Sequence, residues 1–197
     1  SDLGLYALKN WFSGLLKPLA LFAVQRKLSP NVFTVIGVLG GALAGFGVAS
    51  VNTWLVLVAV VVRLAGANLD GAVARAIGSE SRNGFWINEI GDRLADWAIF
   101  AGLLFMPLAM PIDVWVTVMV AVALPTAVSL WGVRRGAARI NGGPFGKTER
   151  CFFAVMFVAL VEFGHIDELV AGYLLQVLIW ASLVTALLRW QRIGGNR

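Results

Sequence analysis

The chain contains little cysteine, little histidine and little charge. One cysteine and one histidine, Cys151 and His165, occur in 197 residues, which excludes an intramolecular disulfide framework and a zinc site built from several of these residues. Charged residues make up 14% of the sequence and hydrophobic residues 59%. An average soluble domain has about 25% charged and about 45–50% apolar residues. The composition therefore predicts an integral membrane protein.

Long apolar stretches predict an all-α integral membrane fold with six transmembrane helices. The predicted spans are 32–49, 52–74, 86–108, 112–133, 151–163 and 169–188. We expect one domain over residues 1–197, with an N-terminal interfacial helix over 1–28 and a six-helix bundle over 29–190.

Apolar residues recur at helical spacing before the first span, interrupted by Lys9 and Lys17. This pattern is typical of an amphipathic helix at a membrane interface, although a surface helix packed on protein has the same pattern. Ser29, Pro30 and Asn31 then predict a turn into the first span. The apolar residues of the stripe are Leu5, Leu8, Phe12, Leu15, Leu16, Leu19 and Phe22.

Lysine and arginine are distributed unequally between the two predicted sides of the membrane. The connections near Val51, at 109–112 and at 164–168 contain neither residue, whereas the N-terminal segment, the other two connections and the C-terminus contain many. The positive-inside rule predicts cytoplasmic termini and cytoplasmic basic loops in the inner membrane. Because the basic residues follow topology, we expect membrane lipids as partners and no nucleic acid.

Acidic and amide side chains cluster where the second predicted span ends and the third begins. On the third span Asn88, Asp92 and Asp96 are spaced four residues apart and therefore share a helix face. With Asp70 beside Asn88 and Asp92, they would form an all-oxygen site of the kind that Mg²⁺ or Mn²⁺ prefers. Such ions complete their shells with water and substrate phosphates, so a phosphate-bearing substrate at the cytoplasmic face is expected. The alternative is a set of interfacial ion pairs involving Asp70, Arg75, Asp92 and Arg93.

These residues resemble the CDP-alcohol phosphatidyltransferase family, whose pattern is Asp-x-x-Asp-Gly-x-x-Ala-Arg, a spacer, then Gly-x-x-x-Asp-x-x-x-Asp. Ala67 and Asn88 stand where the family has its first and third aspartates. A subgroup with asparagine at the third position also has an arginine equivalent to Arg63 and a loop similar to residues 143–150. The matching residues are Asp70, Gly71, Ala74, Arg75, Gly84 and Asp92.

The resemblance implies transfer of a phosphatidyl group from CDP-diacylglycerol to a small alcohol acceptor, with release of CMP. It assigns Asp70 and Asn88 as ligands of one or two Mg²⁺ or Mn²⁺ ions, and Asp92 as a further ligand and the catalytic base. Ala67 and Asn88 remove two negative charges from this set, so we expect a weaker site and weakened activity. A homodimer also fits the resemblance. The implied nucleotide-binding residues are Gly71, Ala74, Arg75 and Gly84.

Basic residues of the fourth-to-fifth connection are predicted to face the same side as the acids. They would bind a phosphate of the acceptor or of the lipid headgroup, because arginine suits phosphate oxygens. Positive-inside topology and attraction to anionic lipid explain Arg134 and Arg135 as simply, whereas the position of Lys147 and Arg150 in the matched loop favours phosphate binding. Arg63 lies deep in a span, and we expect it to pair with Asp70 or another polar group, with Asp96 in support. The predicted phosphate-binding residues are Arg134, Arg135, Arg139, Lys147 and Arg150.

Two other functions are consistent with parts of the sequence. Ala67 favours a catalytically silent relative that binds nucleotide or lipid without turning it over. Arg63 and Asp70 inside the predicted bundle would also suit a small transporter of anionic solutes. The absence of an apparent inverted repeat makes the transporter the weaker alternative.

Overall fold

The computed structural model describes residues 6–140 and 143–195. Leu5 of the predicted amphipathic stripe and both ends of the predicted 1–197 domain lie outside the described residues. Within them the chain forms seven α-helices, one short 3₁₀ segment and no strand, so the all-helical prediction is confirmed. The helices are α1 (Tyr6–Gln25), α2 (Pro30–Ala49), α3 (Thr53–Ala76), α4 (Arg82–Ala101), α5 (Ile112–Arg134), α6 (Lys147–Glu162) and α7 (Glu168–Gly195), with the 3₁₀ segment at Gly102–Phe105.

Short polar side chains determine where three of the helices begin. Ser29 caps α2 and Pro30 occupies its first turn, as the sequence predicts, because proline fits where no backbone N–H is needed. The side chain of Asn52 accepts a hydrogen bond from Leu55 N (3.0 Å), and Ser81 Oγ accepts one from Gly84 N (3.0 Å). These bonds satisfy backbone donors that a helix start leaves without partners.

The helix bounds differ from the predicted spans at several places, among them the start of α4 at Arg82, four residues before the predicted span. The third span was expected to run over 86–108, but α4 ends at Ala101 and the chain continues as the 3₁₀ segment. Helix α6 begins at Lys147, four residues before the predicted span, and α7 continues to Gly195. The predicted spans include only apolar residues, whereas a helix can extend through polar residues at either end. The observed helices can therefore begin before or end after the predicted spans.

Among the described residues, four helices, α2, α3, α5 and α7, are each long and apolar enough to cross a membrane. Helix α6 has 16 residues. That corresponds to about 24 Å, less than the ~30 Å hydrocarbon core. Helix α4 carries several charged side chains, among them Asp92 and Asp96. A membrane protein is thus supported, while the count of six spans stays a prediction.

Helix α2 packs against both α3 and α4, and glycine makes the close approach possible. A Cβ atom at Gly40 would lie 2.7 Å from Arg63 N in α3, and one at Gly41 would lie 2.7 Å from Ala95 Cα in α4. No larger residue fits between these backbones without a shift. The two helices that carry the acidic residues are therefore held against one common helix.

The remaining helices close the bundle around one large apolar core. Helix α5 packs on α7, and α6 contacts α3, α4 and α7. At one end, Thr53 N at the start of α3 donates to Glu162 Oε2 at the end of α6 (2.7 Å). Fully buried core residues come from six helices and include Val48, Val56, Phe100, Val122, Phe157 and Leu178.

Helix α1 lies against α3 and extends the bundle on one side. Asn68 Nδ2 donates to Ser13 Oγ (2.7 Å), and Leu16, Ala20 and Val24 pack on a small core that includes Leu69. The opposite face of α1 exposes large apolar side chains, which agrees with the predicted amphipathic pattern. Its position at a membrane interface stays a prediction. The exposed residues include Leu8, Trp11, Leu15, Leu19 and Phe22.

Candidate active site

A narrow cleft forms at the end of the bundle opposite the Thr53–Glu162 contact. It lies between the first turns of α2, the last turns of α3 and the middle of α4. Asp70 and Asp92 both line it, and so does Ala67, the position at which the family pattern has its first aspartate. The other lining residues are Thr34, Gly37, Val38, Arg63 and Gly91.

Asp70 is held in a fixed orientation by two hydrogen bonds. Thr34 Oγ1 donates to Asp70 Oδ2 (3.1 Å), and the backbone N–H of Gly71 donates to Asp70 Oδ1 (2.6 Å). The residue is 3% exposed. Thr34 was absent from the predicted site, since a single threonine in an apolar span has no sequence signal that links it to an aspartate 36 residues away.

Asp92 has a cationic partner on each carboxylate oxygen. Arg63 Nη1 lies 3.0 Å from Oδ1 and Lys147 Nζ lies 2.7 Å from Oδ2. Arg63 was predicted to pair with Asp70 or with another polar group, and its partners in the structure are Asp92 and Asp96. The close packing of α3 on α2 and of α4 on α2 places Arg63 opposite α4, so its guanidinium reaches Asp92 and Asp96 instead.

Asp96 is the centre of a buried group of ion pairs. Arg63 Nη2 lies 3.1 Å from Oδ1, while Arg93 Nη1 and Arg150 Nη2 lie 3.1 Å and 2.8 Å from Oδ2. The residue is 1% exposed. These contacts join α3, α4 and α6 through one carboxylate, and the supporting role of Asp96 in the site stays a prediction.

Arg150 and the loop before α6 are fixed by this network. Arg150 is 2% exposed and donates through Nη1 to Phe145 O (3.4 Å), while Phe145 N donates to Thr185 Oγ1 of α7 (3.0 Å). The buried position of Arg150 does not match the phosphate-binding role predicted for it. Its guanidinium anchors the loop to Asp96 because an unpaired charge at this depth would be costly.

The other predicted phosphate-binding arginines are exposed and lie on aromatic rings. The guanidinium carbon of Arg135 is 4.1 Å from the ring centroid of Trp131, and that of Arg134 is 5.8 Å from the ring centroid of Trp86. Arg139 pairs with the buried carboxylate of Glu89. Sequence reasoning missed Glu89, although an acidic residue inside an apolar helix is itself a sign of a buried polar partner.

The residues predicted to bind nucleotide lie near the connection between α3 and α4. Gly71 and Ala74 are half-buried, and Arg75 is exposed. The Arg75 guanidinium lies over Gly71, where an added Cβ atom would be 3.1 Å from Arg75 Nη1. Gly84 donates its backbone N–H to Ser81 and so belongs to the cap of α4. The glycine at position 71 thus leaves room for the arginine beside it.

The predicted ligands supply oxygen atoms of the kind that a divalent cation binds. Asp70 and Asp92 share the cleft, and Asn88 Oδ1, one turn before Asp92 on the same helix face, is buried with no hydrogen-bond partner among the described residues. Ala67 offers no ligand atom. In the described part of the chain, no three Asp, Glu, His or Cys side chains are grouped as a metal site. One ion completed by water or phosphate oxygens suits this donor set better than two.

The ion pairs of the described residues, taken together with Asp70, contain one more positive than negative group. Glu89, Asp92 and Asp96 are the three carboxylates of the six ion pairs. Asp70 adds one further negative charge, which leaves a surplus of one positive charge. An anionic ligand would complement this surplus. The five cationic partners are Arg63, Arg93, Arg139, Lys147 and Arg150.

The fold and the site together define a helical membrane protein in which Asp70 and Asp92 line one cleft. Beside it lies a cationic loop, the connection between α5 and α6 that ends at Lys147. Residues 27–188 match the sequence model of the CDP-alcohol phosphatidyltransferase family, and the chain belongs to this family. Membership supports a transferase of phospholipid biosynthesis that works in a membrane.

Two protein sequences and one solved protein are similar to the chain. The inner membrane protein YnbA of Escherichia coli (strain K12) is 28% identical over 198 residues, which cover 98% of this chain and 94% of that protein. The phosphatidylinositol phosphate synthase of Mycolicibacterium smegmatis is 29% identical over 187 residues, which cover 89% of this chain and 82% of that protein.

The solved protein is the phosphatidylinositol phosphate synthase PgsA1 of Mycobacterium tuberculosis. Its structure with manganese and citrate gives a TM-score of 0.68 at 24% identity and covers 89% of this chain and 87% of that one. Its structure with CDP-DAG bound gives a TM-score of 0.67 at 24% identity, with coverages of 89% and 92%. At this identity the likeness shows the fold.

Proposed function

We propose that the chain is a phospholipid synthase that transfers a phosphatidyl group from CDP-diacylglycerol to a small hydroxyl acceptor and releases CMP. The observation that carries this proposal is the cleft shared by Asp70 and Asp92, two aspartates of the matched family motif, beside the cationic loop. The family relationship supplies the reaction class. The CDP-DAG-bound structure of the mycobacterial relative supports the choice of donor.

Asp92 is the proposed general base. Its carboxylate would take the proton of the acceptor hydroxyl as the acceptor oxygen forms a bond to the phosphatidyl phosphorus and the bond to the CMP oxygen breaks. Asp70 and Asn88 would hold a Mg²⁺ or Mn²⁺ ion together with Asp92. When bound, this ion neutralises charge on the diphosphate oxygens. Gly71, whose lack of a side chain leaves space under Arg75, would belong to the nucleotide pocket together with Ala74, Arg75 and Gly84.

Basic residues that reach solvent at this end of the bundle are proposed to bind phosphate oxygens of the donor or of the acceptor. Lys147 is the nearest of them, since its ammonium already touches Asp92. The surplus of positive charge supports a ligand that carries phosphate, because guanidinium and ammonium groups pair well with phosphate oxygens. Arg150 is left out because its guanidinium is buried against Asp96. The other proposed phosphate-binding residues are Arg134, Arg135 and Arg139.

The proposed orientation places the cleft at the cytoplasmic face of the inner membrane. The cleft lies at the end of the bundle where α5 ends in Arg134 and α6 begins with Lys147. The positive-inside rule assigns that end, and with it both termini, to the cytoplasm. A homodimer is proposed only from the family resemblance.

The test is CMP release by the purified chain in detergent, with CDP-diacylglycerol, Mg²⁺ or Mn²⁺, and a pool of small alcohols. Release should require the metal and an acceptor, and splitting the pool should identify the acceptor. Asp92→Asn should abolish release. Asp113→Asn, the same change at an exposed aspartate in the first turn of α5, should not. Equal release from both variants would remove Asp92 from the reaction.

A catalytically silent relative is the second candidate, and Ala67 is the observation that favours it. Ala67 lines the cleft without a ligand atom, and both oxygens of Asp92 are already paired with cations. Binding of a cytidine nucleotide without CMP release would support this reading. Release that appears only in Ala67→Asp would show that the scaffold is complete apart from this carboxylate. Metal-dependent release by the unmodified chain would exclude it.

A further inference from the structure

Lys147 differs from every other member of the network around Asp92 and Asp96 in its exposure. Its side chain is 30% exposed, whereas that of Arg93 is 17% exposed and those of Arg63, Arg150 and Asp92 are 1%, 2% and 7% exposed. A lysine ammonium on a flexible stem can leave a carboxylate for water at small cost. A guanidinium buried between two carboxylates cannot do so without leaving a charge uncompensated.

The two oxygens of Asp92 are therefore unequal. Oδ1 is held by Arg63, whose second guanidinium nitrogen is bound to Asp96, so this contact is part of the buried structure. Oδ2 is held by Lys147 alone among the described residues. Oδ2 is the oxygen that can exchange its partner while the fold stays intact.

The backbone that carries Lys147 is fixed independently of this exchange. Phe145 N donates to Thr185 on α7, and Arg150 joins the first turn of α6 to Asp96. A Cβ atom at Gly143 would lie 2.6 Å from Thr185 Cγ2, so the loop also touches α7 closely at Gly143. Movement of the ammonium away from Asp92 thus needs only rotation of the lysine side chain.

Asp70 and Asp92 line the same cleft, and Lys147 Nζ touches Asp92 Oδ2 at 2.7 Å. From these contacts we propose that Lys147 is the resident counter-ion of Asp92, which a divalent cation must displace to bind between Asp70 and Asp92. Lys147 then sets the affinity of the site for metal, and after displacement its ammonium remains beside the cleft. The proposal rests on the ligand set of the proposed function.

The experiment is a titration of the purified full chain with Mn²⁺, with free ion followed by electron paramagnetic resonance. Lys147→Met should bind Mn²⁺ at least about tenfold more tightly than the unmodified chain, a change of about 1.4 kcal/mol. This value lies between the energies of an exposed ion pair and of a fully buried one, as the partial exposure of Lys147 requires. Lys147→Arg keeps the positive charge and should bind like the unmodified chain.

Arg82→Met is the matched control. Arg82 is exposed at the start of α4, on the same end of the bundle, and its replacement also removes one positive charge. Tighter binding caused by a general change in charge would appear equally in this variant and would overturn the proposal. Lys147→Gln repeats the test with a polar side chain of similar length, and thermal unfolding of each variant shows that it is folded.

The proposal and the proposed function fail in different measurements. Unchanged Mn²⁺ affinity in Lys147→Met, or no Mn²⁺ binding in any variant, would refute the counter-ion role whatever CMP release shows. Absence of CMP release from the unmodified chain, combined with tighter Mn²⁺ binding in Lys147→Met, would refute the enzyme and leave the counter-ion role intact.

Discussion

Replacement of Asp96 by asparagine should destabilise the bundle more than any other single removal of charge. Asp96 is 1% exposed, and three guanidinium groups lie 2.8–3.1 Å from its oxygens. Asparagine has nearly the same shape but carries no charge, and its amide nitrogen would face a guanidinium donor. The variant therefore leaves Arg63, Arg93 and Arg150 with less compensation in a region that excludes water.

The size of the effect follows from the burial of these partners. Removing one member of a buried ion pair typically costs about 3–5 kcal/mol, because the remaining charge stays buried. For a chain of this length, about 1 kcal/mol lowers the unfolding midpoint by about 2–4 °C. Asp96→Asn should therefore lower the midpoint by roughly 6–20 °C.

Thermal unfolding in detergent, followed by circular dichroism, measures this shift. Asp113→Asn is the control, since Asp113 is exposed in the first turn of α5 and its interaction with the helix dipole is worth less than about 1 kcal/mol. If Asp96→Asn shifts the midpoint no more than Asp113→Asn does, the ion pairs do not stabilise the bundle. That result would refute the reasoning from burial.

A double variant separates the ion pair from the rest of the site. Arg150→Met removes one of the three guanidinium groups, so Asp96→Asn should cost less in that background than in the unmodified chain. Residues in direct contact usually show coupling of about 0.5–3 kcal/mol. Strict additivity of the two changes would mean that Arg150 and Asp96 act independently, against the 2.8 Å contact between them.

Two further predictions concern the backbone contacts and the threonine of the site. Gly41→Val places a side chain where even a Cβ atom would be 2.7 Å from Ala95 Cα, so we expect a loss of at least about 1–3 kcal/mol in thermal unfolding. Gly172→Ala, at a position with open space around it, should have no such cost. Thr34→Val removes the hydroxyl that donates to Asp70 and should lower kcat/KM for CMP release roughly tenfold without a matching loss of stability. Thr34→Ser keeps the hydroxyl and should retain activity, and equal losses in both variants would contradict the role of the hydrogen bond.

The fold and the location of the site were accessible from the sequence because both depend on local patterns. Apolar length predicted the helices, and the spacing of Asp70, Gly71 and Arg75 before Gly84 and Asp92 indicated one site at the junction of two helices. The structure places Asp70 and Asp92 on one cleft. Ala67, which stands where the family pattern has its first aspartate, also lines this cleft.

The ion-pair partners were not accessible in the same way. Lys147 and Asp92 are separated by 55 residues, and Arg150 and Asp96 by 54. Which cation meets which carboxylate depends on how closely the helices approach, and Gly40 in α2 is one position that sets this distance. A positive-inside pattern explains Lys147 and Arg150 by topology alone, so it gives no reason to expect that one is buried and the other half-exposed.

The glycine contacts of α2 also have a mechanical consequence for the cleft. Where backbone meets backbone, at Gly40 on α3 and Gly41 on α4, no side chain remains that could change rotamer and let the helices slide inward. The walls that carry Asp70 and Asp92 thus have a fixed closest approach. A ligand that enters between them is then accommodated by rotation of side chains, and the partly exposed Lys147 beside Asp92 is the side chain that we propose to move. The backbone contacts therefore limit how closely the helices approach, and adjustment to a ligand is left to side chains such as Lys147.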